Sequence, residues 1–298
     1  MPCFPNGPVE MVEPAALPAC TLVIRTTGRR AHTLSQAIRS ALRQDIPRVQ
    51  IVVVEDGGRA AESLVKGLAG EAAQNLVYLS IPAAGRSQAA NAGLAAATGD
   101  FIGFLDDDDM LLPGHCQALA GALMAAPDAP AAFAGWYEVG RDAEFSDVPS
   151  AAAQDWRPGS RRPFSRPALL LANLFPIQAV LFRRAAALQV GGFSPELEAL
   201  EDWDFWLRLS QIGMFVSVDT TTSLCRVAQD AVEAAQRAMD HASARRKILA
   251  RYADAEFTMQ GSEVQTLHND LAARLEEFFT SGALAGALWR GVLRNFRR

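Results

Sequence analysis

Several features that would point quickly to a function are missing from this chain of 298 residues. It has no run of 18 consecutive apolar residues, so no segment reads as a membrane-spanning helix. Its four cysteines, Cys3, Cys20, Cys116 and Cys225, lie far apart and include no Cys-x-x-Cys pair. That argues against a zinc knuckle or a disulfide framework, and reduced thiols in a cytoplasm are the expectation. Histidine is equally sparse: His32, His115, His241 and His268 are scattered, and none reads as a metal ligand. Basic residues do not predominate, with 28 Lys and Arg against 33 Asp and Glu, so a net charge of −5 gives no reason to expect nucleic-acid binding. The N-terminus, MPCFPNGPVEMVEPAALPAC, lacks the basic start and apolar run of a secretory signal. With prolines at 2, 5, 8, 14 and 18, residues 1–20 are expected to be a flexible lead-in. No internal repeat is visible.

Half of the residues are apolar, enough for a large core. From Thr21 the pattern becomes regular. TLVIRT (21–26), IVVVED (51–56), LVYLSI (76–81) and FIGFL (101–105) are short apolar runs that predict buried strands. Between them, residues 31–44, 60–70 and 87–97 have helical spacing, and 114–125 suit a further helix. Continuous apolar strands alternating with helices predict a mostly parallel sheet flanked by helices, an α/β architecture. Beyond it, AAFAGWYEV (131–139), AVLF (179–182) and MFVSV (214–218) predict further strands, and LEDWDFWLRLSQIG (200–213) and 230–252 predict helices. The stretch from about 140 to 172 is polar and carries no legible pattern.

Two stripes mark the C-terminus. Val264, Leu267, Leu271, Leu275 and Phe278 recur at helical spacing. In 284–298 the apolar residues share one side of a helical wheel, with Arg290, Arg294, Arg297 and Arg298 on the other. That separation suits an anionic membrane surface, a protein partner, or packing on the chain's own domain.

Ligands of such sheets bind beyond the carboxyl ends of the strands, and the polar residues converge there. Strand one ends in Arg25-Thr26-Thr27-Gly28, strand two in Glu55-Asp56-Gly57-Gly58, and strand four in four aspartates, Asp106 to Asp109. Adjacent carboxylates repel and need compensation. A hard divalent cation such as Mg²⁺ or Mn²⁺ supplies it, and Asp106 and Asp108, one residue apart, can face one ion; a solvated acidic loop is the plain alternative. Asp56, followed by two glycines, can accept hydrogen bonds from a base or ribose. Gly85 and Arg86 precede a helix whose N-terminus suits a phosphate. Glu201-Asp202-Trp203-Asp204 opens a later helix. Acidic residues favour that end for dipole reasons alone, but one of them can also serve as general base for an acceptor hydroxyl, with Trp203 and Trp206 as a wall or platform for a sugar.

The order VVVEDGG, GRSQAANAGLAAATGDFIGFLDDDD, VLFRRAAALQVGGF and LEDWDFWLRL resembles the family-2 glycosyltransferases of GT-A fold over roughly residues 21–226. The resemblance implies a GT-A domain at 21–226 and a C-terminal helical extension at 227–298. It implies a nucleotide-diphosphate sugar donor, an acceptor hydroxyl on a glycan or other molecule, a divalent metal (Mn or Mg), and inversion at the anomeric carbon. Thr26 and Asp56 match the nucleoside contacts, Arg86 lies in the donor loop, and Glu55, Asn91 and Asp107 complete the donor set. Asp106 and Asp108 match the DxD metal pair, with Asp107 a close alternative, while Asp202 matches the catalytic base and Glu201 its support. A cytoplasmic enzyme of polysaccharide or glycoconjugate synthesis, free or peripheral at the membrane's inner face, is the resulting expectation. Two features depart from the pattern: Arg25-Thr26-Thr27-Gly28 stands where Pro-Thr-Tyr-Asn is common, and Ala90 stands where an arginine is common. They leave a rival, a catalytically silent glycosyltransferase-like scaffold or carbohydrate-binding module. A nucleotidyltransferase is a poorer match, because TTGRRAH (26–32) is no glycine-rich phosphate loop.

Overall fold

The computed structural model describes residues 18–70, 75–140, 157–159, 164–197, 199–227, 231–256 and scattered positions from 259 to 272. The expectations for most of the N-terminal lead-in, for much of 140–172, for most of the 263–279 stripe and for all of 284–298 fall outside the described residues. No described helix is long and apolar enough to cross a membrane.

Four parallel strands form one half of the sheet: β1 (Cys20–Thr26), β2 (Val49–Asp56), β3 (Leu76–Ile81) and β4 (Phe101–Asp106), in the order β3-β2-β1-β4. Their helical crossovers are α1 (Ala31–Leu42), α2 (Glu62–Ala69) and α3 (Arg86–Ala96). The chain then forms the short β5 (Met110–Leu111), α4 (His115–Ala125), β6 (Ala131–Gly140) and a two-residue β7 (Arg157–Pro158). Next come α5 (Arg166–Leu171), a 3₁₀ turn at Ile177–Ala179, β8 (Val180–Arg183), α6 (Arg184–Gln189), α7 (Glu201–Ser210), β9 (Val216–Val227) and α8 (Ala231–Ala250).

Period-two alternation decides which side chains face which layer. Leu22 and Ile24 of β1, Ile51 and Val53 of β2, and Leu105 of β4 pack on one face with Leu34 and Ile38 of α1, Val65 of α2 and Leu119 of α4. Val23, Val52, Val54, Ile102 and Phe104 pack on the other with α3, α5, α7 and Ile248 of α8. Both faces are covered, so the strands are apolar throughout rather than alternating with polar residues. Gly93 lets α3 lie close on β1: a Cβ there would stand 2.2 Å from Val23 Cγ1. The second face is rich in aromatics. Phe205 stacks on Phe193 at 4.3 Å between centroids and meets Phe182 edge-on at 5.1 Å, geometry that adds to the area each ring buries.

The sheet is mixed rather than mostly parallel. β8 runs antiparallel to both β4 and β6, β6 is parallel to β9, and β5 and β7 pair antiparallel to β9 and β6. A strand buried on both faces is an apolar run whichever way it points, so direction is not written in the pattern. The predicted strand at 214–218 is the start of a longer one, β9, which carries polar residues to the site edge.

Candidate active site

The sheet brings the strand ends together by register. Arg25 lies opposite Asp106 across the β1–β4 pair, and Thr26 lies opposite Glu55 across β1–β2. Arg25 donates from Nε (3.0 Å) and Nη2 (2.6 Å) to Asp106 Oδ1, and from Nη1 to Glu201 Oε1 (2.7 Å). Arg86, at the start of α3, spans the same two carboxylates, reaching Asp106 Oδ2 at 2.5 Å and Glu201 Oε1 at 3.1 Å. Two guanidiniums thus bridge two carboxylates. Arg25 and Glu201 are 6% and 3% exposed, while over half of the Arg86 side chain faces the cleft. Burial pushes the Asp106 carboxyl upward, but Arg25 and Arg86 outweigh it and hold the group down at about 2. Glu201 is likewise held below the usual range against its burial, chiefly by Arg25 and Arg86.

The rest of the acidic run divides its roles. Asp107 is buried, accepts from Thr26 Oγ1 (2.6 Å) and pairs with Arg30 at 3.1 Å. Burial leads in pushing its carboxyl up. Asp108 pairs with the other side of the Arg30 guanidinium. Asp109, for which the sequence suggested no role, is buried and accepts the backbone N–H of Arg226 at 2.9 Å. It fastens the turn after β4 to β9 beside the β5–β9 pairing.

Asp56 accepts the N–H groups of Ala84 (2.7 Å) and Gly85 (3.0 Å), tying the loop before α3 to the end of β2. Across the cleft, α7 presents Glu201 and Asp202 from its first turn. Leu200, just before them, has φ 57°, the one positive φ at a non-glycine among the described residues. A left-handed leucine costs on the order of 1 kcal/mol, and such strain tends to collect where a site fixes its geometry. Asp202 accepts from Asn173 Nδ2 and from the N–H of Trp203, both at 2.8 Å. Burial, then the charge of Glu201, pushes its carboxyl up to about 6.

These groups line a cleft of about 1170 Å³, which holds Thr26, Asp56, Arg86, Asp106, Asp107, Asp108, Glu201 and Asp202 together. Helix α8 closes one side with His241, Ser243, Ala244 and Lys247. It is fastened to α7: Arg251, just beyond α8, pairs with the fully buried Asp204, and the Arg245 guanidinium lies 5.3 Å over the Trp203 ring.

Four expected site residues serve the fold instead. Glu55 is 0% exposed, and its oxygens take the N–H groups of Ala60 and Ala61 and the Tyr78 hydroxyl, so it caps the entry to α2. Asn91 exchanges two hydrogen bonds of 2.8 Å with the backbone of Phe193. Gly192 at φ +70° makes room for this contact, since a Cβ would stand 2.6 Å from Asn91 Oδ1. Trp203 and Trp206, expected at the acceptor, are 1% and 0% exposed and belong to the core. Both pack on the inner face of α7, within the aromatic core rather than at the cleft. Conversely, Arg25, Arg30, Asn173 and the α8 residues were missed. An arginine ending the apolar run TLVIRT was the available signal, because a buried guanidinium requires carboxylate partners.

No group of three or more His, Cys, Asp or Glu side chains forms an ion cage among the described residues. Asp106 and Asp108 each keep about a fifth of the side chain exposed at the cleft. Two carboxylates completed by substrate phosphates are a set that Mg²⁺ or Mn²⁺ accepts, so these residues fit such an ion when a diphosphate is bound.

The model of the family described as Glycosyl transferase family 2 matches residues 21–187. The uncharacterized glycosyltransferase YwdF of Bacillus subtilis is 27% identical over 198 residues, covering 63% of this chain and 67% of that protein. The chain spans about two thirds or less of the curated relatives it matches. Among solved structures, S. aureus TarS 1-349 in complex with UDP-GlcNAc superposes with a TM-score of 0.54 at 15% identity, covering 71% of this chain and 59% of that one. The mannosyltransferase PcManGT from Pyrobaculum calidifontis, in complex with GDP-Man and Mn²⁺, gives 0.52 at 18% identity, covering 98% and 91%. The fold is the GT-A type that the motifs implied.

Proposed function

The chain belongs to glycosyl transferase family 2, and we propose that it moves a sugar from a nucleotide-diphosphate donor to an acceptor hydroxyl, with inversion, in polysaccharide or glycoconjugate synthesis. The observation that carries this reading is one cleft holding a diphosphate-side cluster (Asp106, Asp108, Arg86) and, across it, a carboxylate poised near neutrality, Asp202. A base with its pKa at about 6 is ionised at neutral pH yet basic enough to take a hydroxyl proton during attack.

In this mechanism Asp202 accepts the acceptor's proton as its oxygen attacks the anomeric carbon. The bond from that carbon to the diphosphate oxygen breaks on the opposite side. Arg86, the exposed member of the arginine pair, turns from Asp106 and Glu201 toward the departing diphosphate, while buried Arg25 stays and keeps both carboxylates neutralised. Thr26 and Asp56 line the nucleoside end. A divalent cation held by Asp106 and Asp108 would neutralise charge on the diphosphate. The complexes of TarS with UDP-GlcNAc and of PcManGT with GDP-Man and Mn²⁺ support this donor class and metal.

Two measurements test the proposal. A nucleoside diphosphate with Mn²⁺ at a hundred times its Kd should stabilise the fold by about 2.7 kcal/mol, a rise in melting temperature of roughly 4 °C. If no nucleoside diphosphate shifts the melt at saturating Mn²⁺, the reading fails. With a donor in hand, Asp202→Asn should abolish turnover and leave donor affinity nearly unchanged. A silent module would show binding without donor turnover in the native chain.

A further inference from the structure

We propose that Asn173 is a positioning residue for Asp202, fixing its carboxylate for proton transfer; the inference rests on the reading of Asp202 as general base. Asn173 Nδ2 donates to Asp202 Oδ2 at 2.8 Å, while Asp202 Oδ1 takes the N–H of Trp203 at 2.8 Å. Each oxygen therefore has one fixed donor, and together the two set the plane of the carboxylate. Only the Trp203 N–H comes from the helix that carries Asp202. Asn173 reaches it from the segment after α5.

That segment is itself held in place. Trp203 Nε1 donates to the carbonyl of Leu169 at 2.6 Å, and Arg245 Nη2 of α8 donates to the carbonyl of Leu171 at 2.6 Å. The buried Trp203 thus anchors the support of its neighbour Asp202. Asn173 also pays a cost that a purely structural residue would avoid. Its Oδ1 is buried and has no hydrogen-bond partner among the described residues. A buried, unpaired carbonyl oxygen weakens a fold, and such atoms call for a functional explanation. The contact with Asp202 is the one hydrogen bond this side chain makes among the described residues.

The charges around Asp202 define what the contact does. Glu201 precedes it on α7, Arg86 of α3 and Arg25 of β1 pair with Glu201 and Asp106, and His241 and Lys247 of α8 line the same cleft. Burial and Glu201 oppose ionisation of Asp202; the Asn173 amide, the Trp203 N–H and Arg86 favour it. Losing the amide donor must raise the carboxyl further. Two or three such donors can lower a carboxylate by about two units, so one is worth roughly one. At pH 6 that shift lowers the ionised fraction about fivefold, and at pH 7 less than twofold.

The test is a carboxyl titration in the full chain labelled with ¹³C-aspartate, with the Asp202 signal assigned by its loss in Asp202→Asn. The native midpoint is expected near 6. Asn173→Ala should raise it by roughly one pH unit. Asn173→Asp keeps the shape and places a second carboxylate there, so the titration should split into two steps with the upper one above the native midpoint. If the alanine variant does not fold, the aspartate variant decides alone. An unmoved midpoint in the folded variants overturns the inference. Should Asp202→Asn abolish transfer while the Asn173 variants leave the midpoint unmoved, this inference falls alone. Should Asp202→Asn retain transfer, the base reading falls whatever Asn173 does.

Discussion

Replacing Arg25 with methionine keeps most of the side chain's length and removes its charge. In the native protein this guanidinium donates three hydrogen bonds, two to Asp106 and one to Glu201, from a position 6% exposed. Breaking a buried ion pair from one side costs about 3–5 kcal/mol, because the remaining charge is left without compensation. Arg86 still touches both carboxylates, which places the expected loss near the lower end, about 3 kcal/mol, or roughly 5 °C in melting temperature. The pH dependence is the sharper signature. Asp106 sits at about 2 instead of 3.8, and so contributes about 2.5 kcal/mol that is fully present above pH 4 and is lost as pH falls toward 2. Without Arg25, burial dominates and its pKa rises, so the folded variant binds a proton that the native protein does not. The stability gap should therefore be largest at pH 7, narrow as pH falls through the variant's raised pKa toward pH 4, and narrow further below pH 4 as the native protein loses its own contribution. Urea melts of both proteins at pH 7.5 and pH 4 measure it, with Arg25→Lys expected between them, since one ammonium cannot reproduce the forked contact. A gap that stays constant across pH, or the absence of one at pH 7.5, would refute the reasoning.

Trp206→Ala should destabilise the fold by about 3–5 kcal/mol in urea melts while leaving nucleotide affinity of the folded protein unchanged, because the ring is core. Trp206→Phe should cost less, about 1 kcal/mol, since it also removes a buried indole N–H that has no partner among the described residues. Mn²⁺ alone should bind weakly by calorimetry, and tightly only with a nucleoside diphosphate present, because the described residues offer two carboxylates and no cage; tight binding of the bare ion would contradict this.

Most of the scaffold was legible because its signal is local. β1 to β4 announced themselves as apolar runs, and α1 as a stripe of Leu34, Ile38 and Leu42. The convergence of Thr26, Asp56, Arg86, Asp106, Asp202 and Glu201 on one cleft followed from strand ends plus family pattern. What the sequence hid is side-chain direction at sites where polar and apolar residues alternate in a helix. In Glu-Asp-Trp-Asp-Phe-Trp, only three-dimensional packing shows that both indoles turn inward. Glu55 and Asn91 are polar residues beside motif positions, yet their hydrogen bonds go to backbone N–H and C=O groups that no residue pattern displays. Asn173 could not be found, because it stands 29 residues before its partner in a segment without periodicity.

The fastening of α7 by α8 also sets an order of events during synthesis. Every motif residue of the cleft lies before position 227, but the Arg251 side chain that meets buried Asp204, and the Arg245 side chain that holds the end of α5, are translated later. At about 5–20 residues per second, a nascent chain complete through Val227 waits roughly one to five seconds for Arg251. Over that interval the chain carries its whole chemical alphabet while the helix bearing Asp202 still lacks its latch. Maturation of the site therefore follows the making of its motifs.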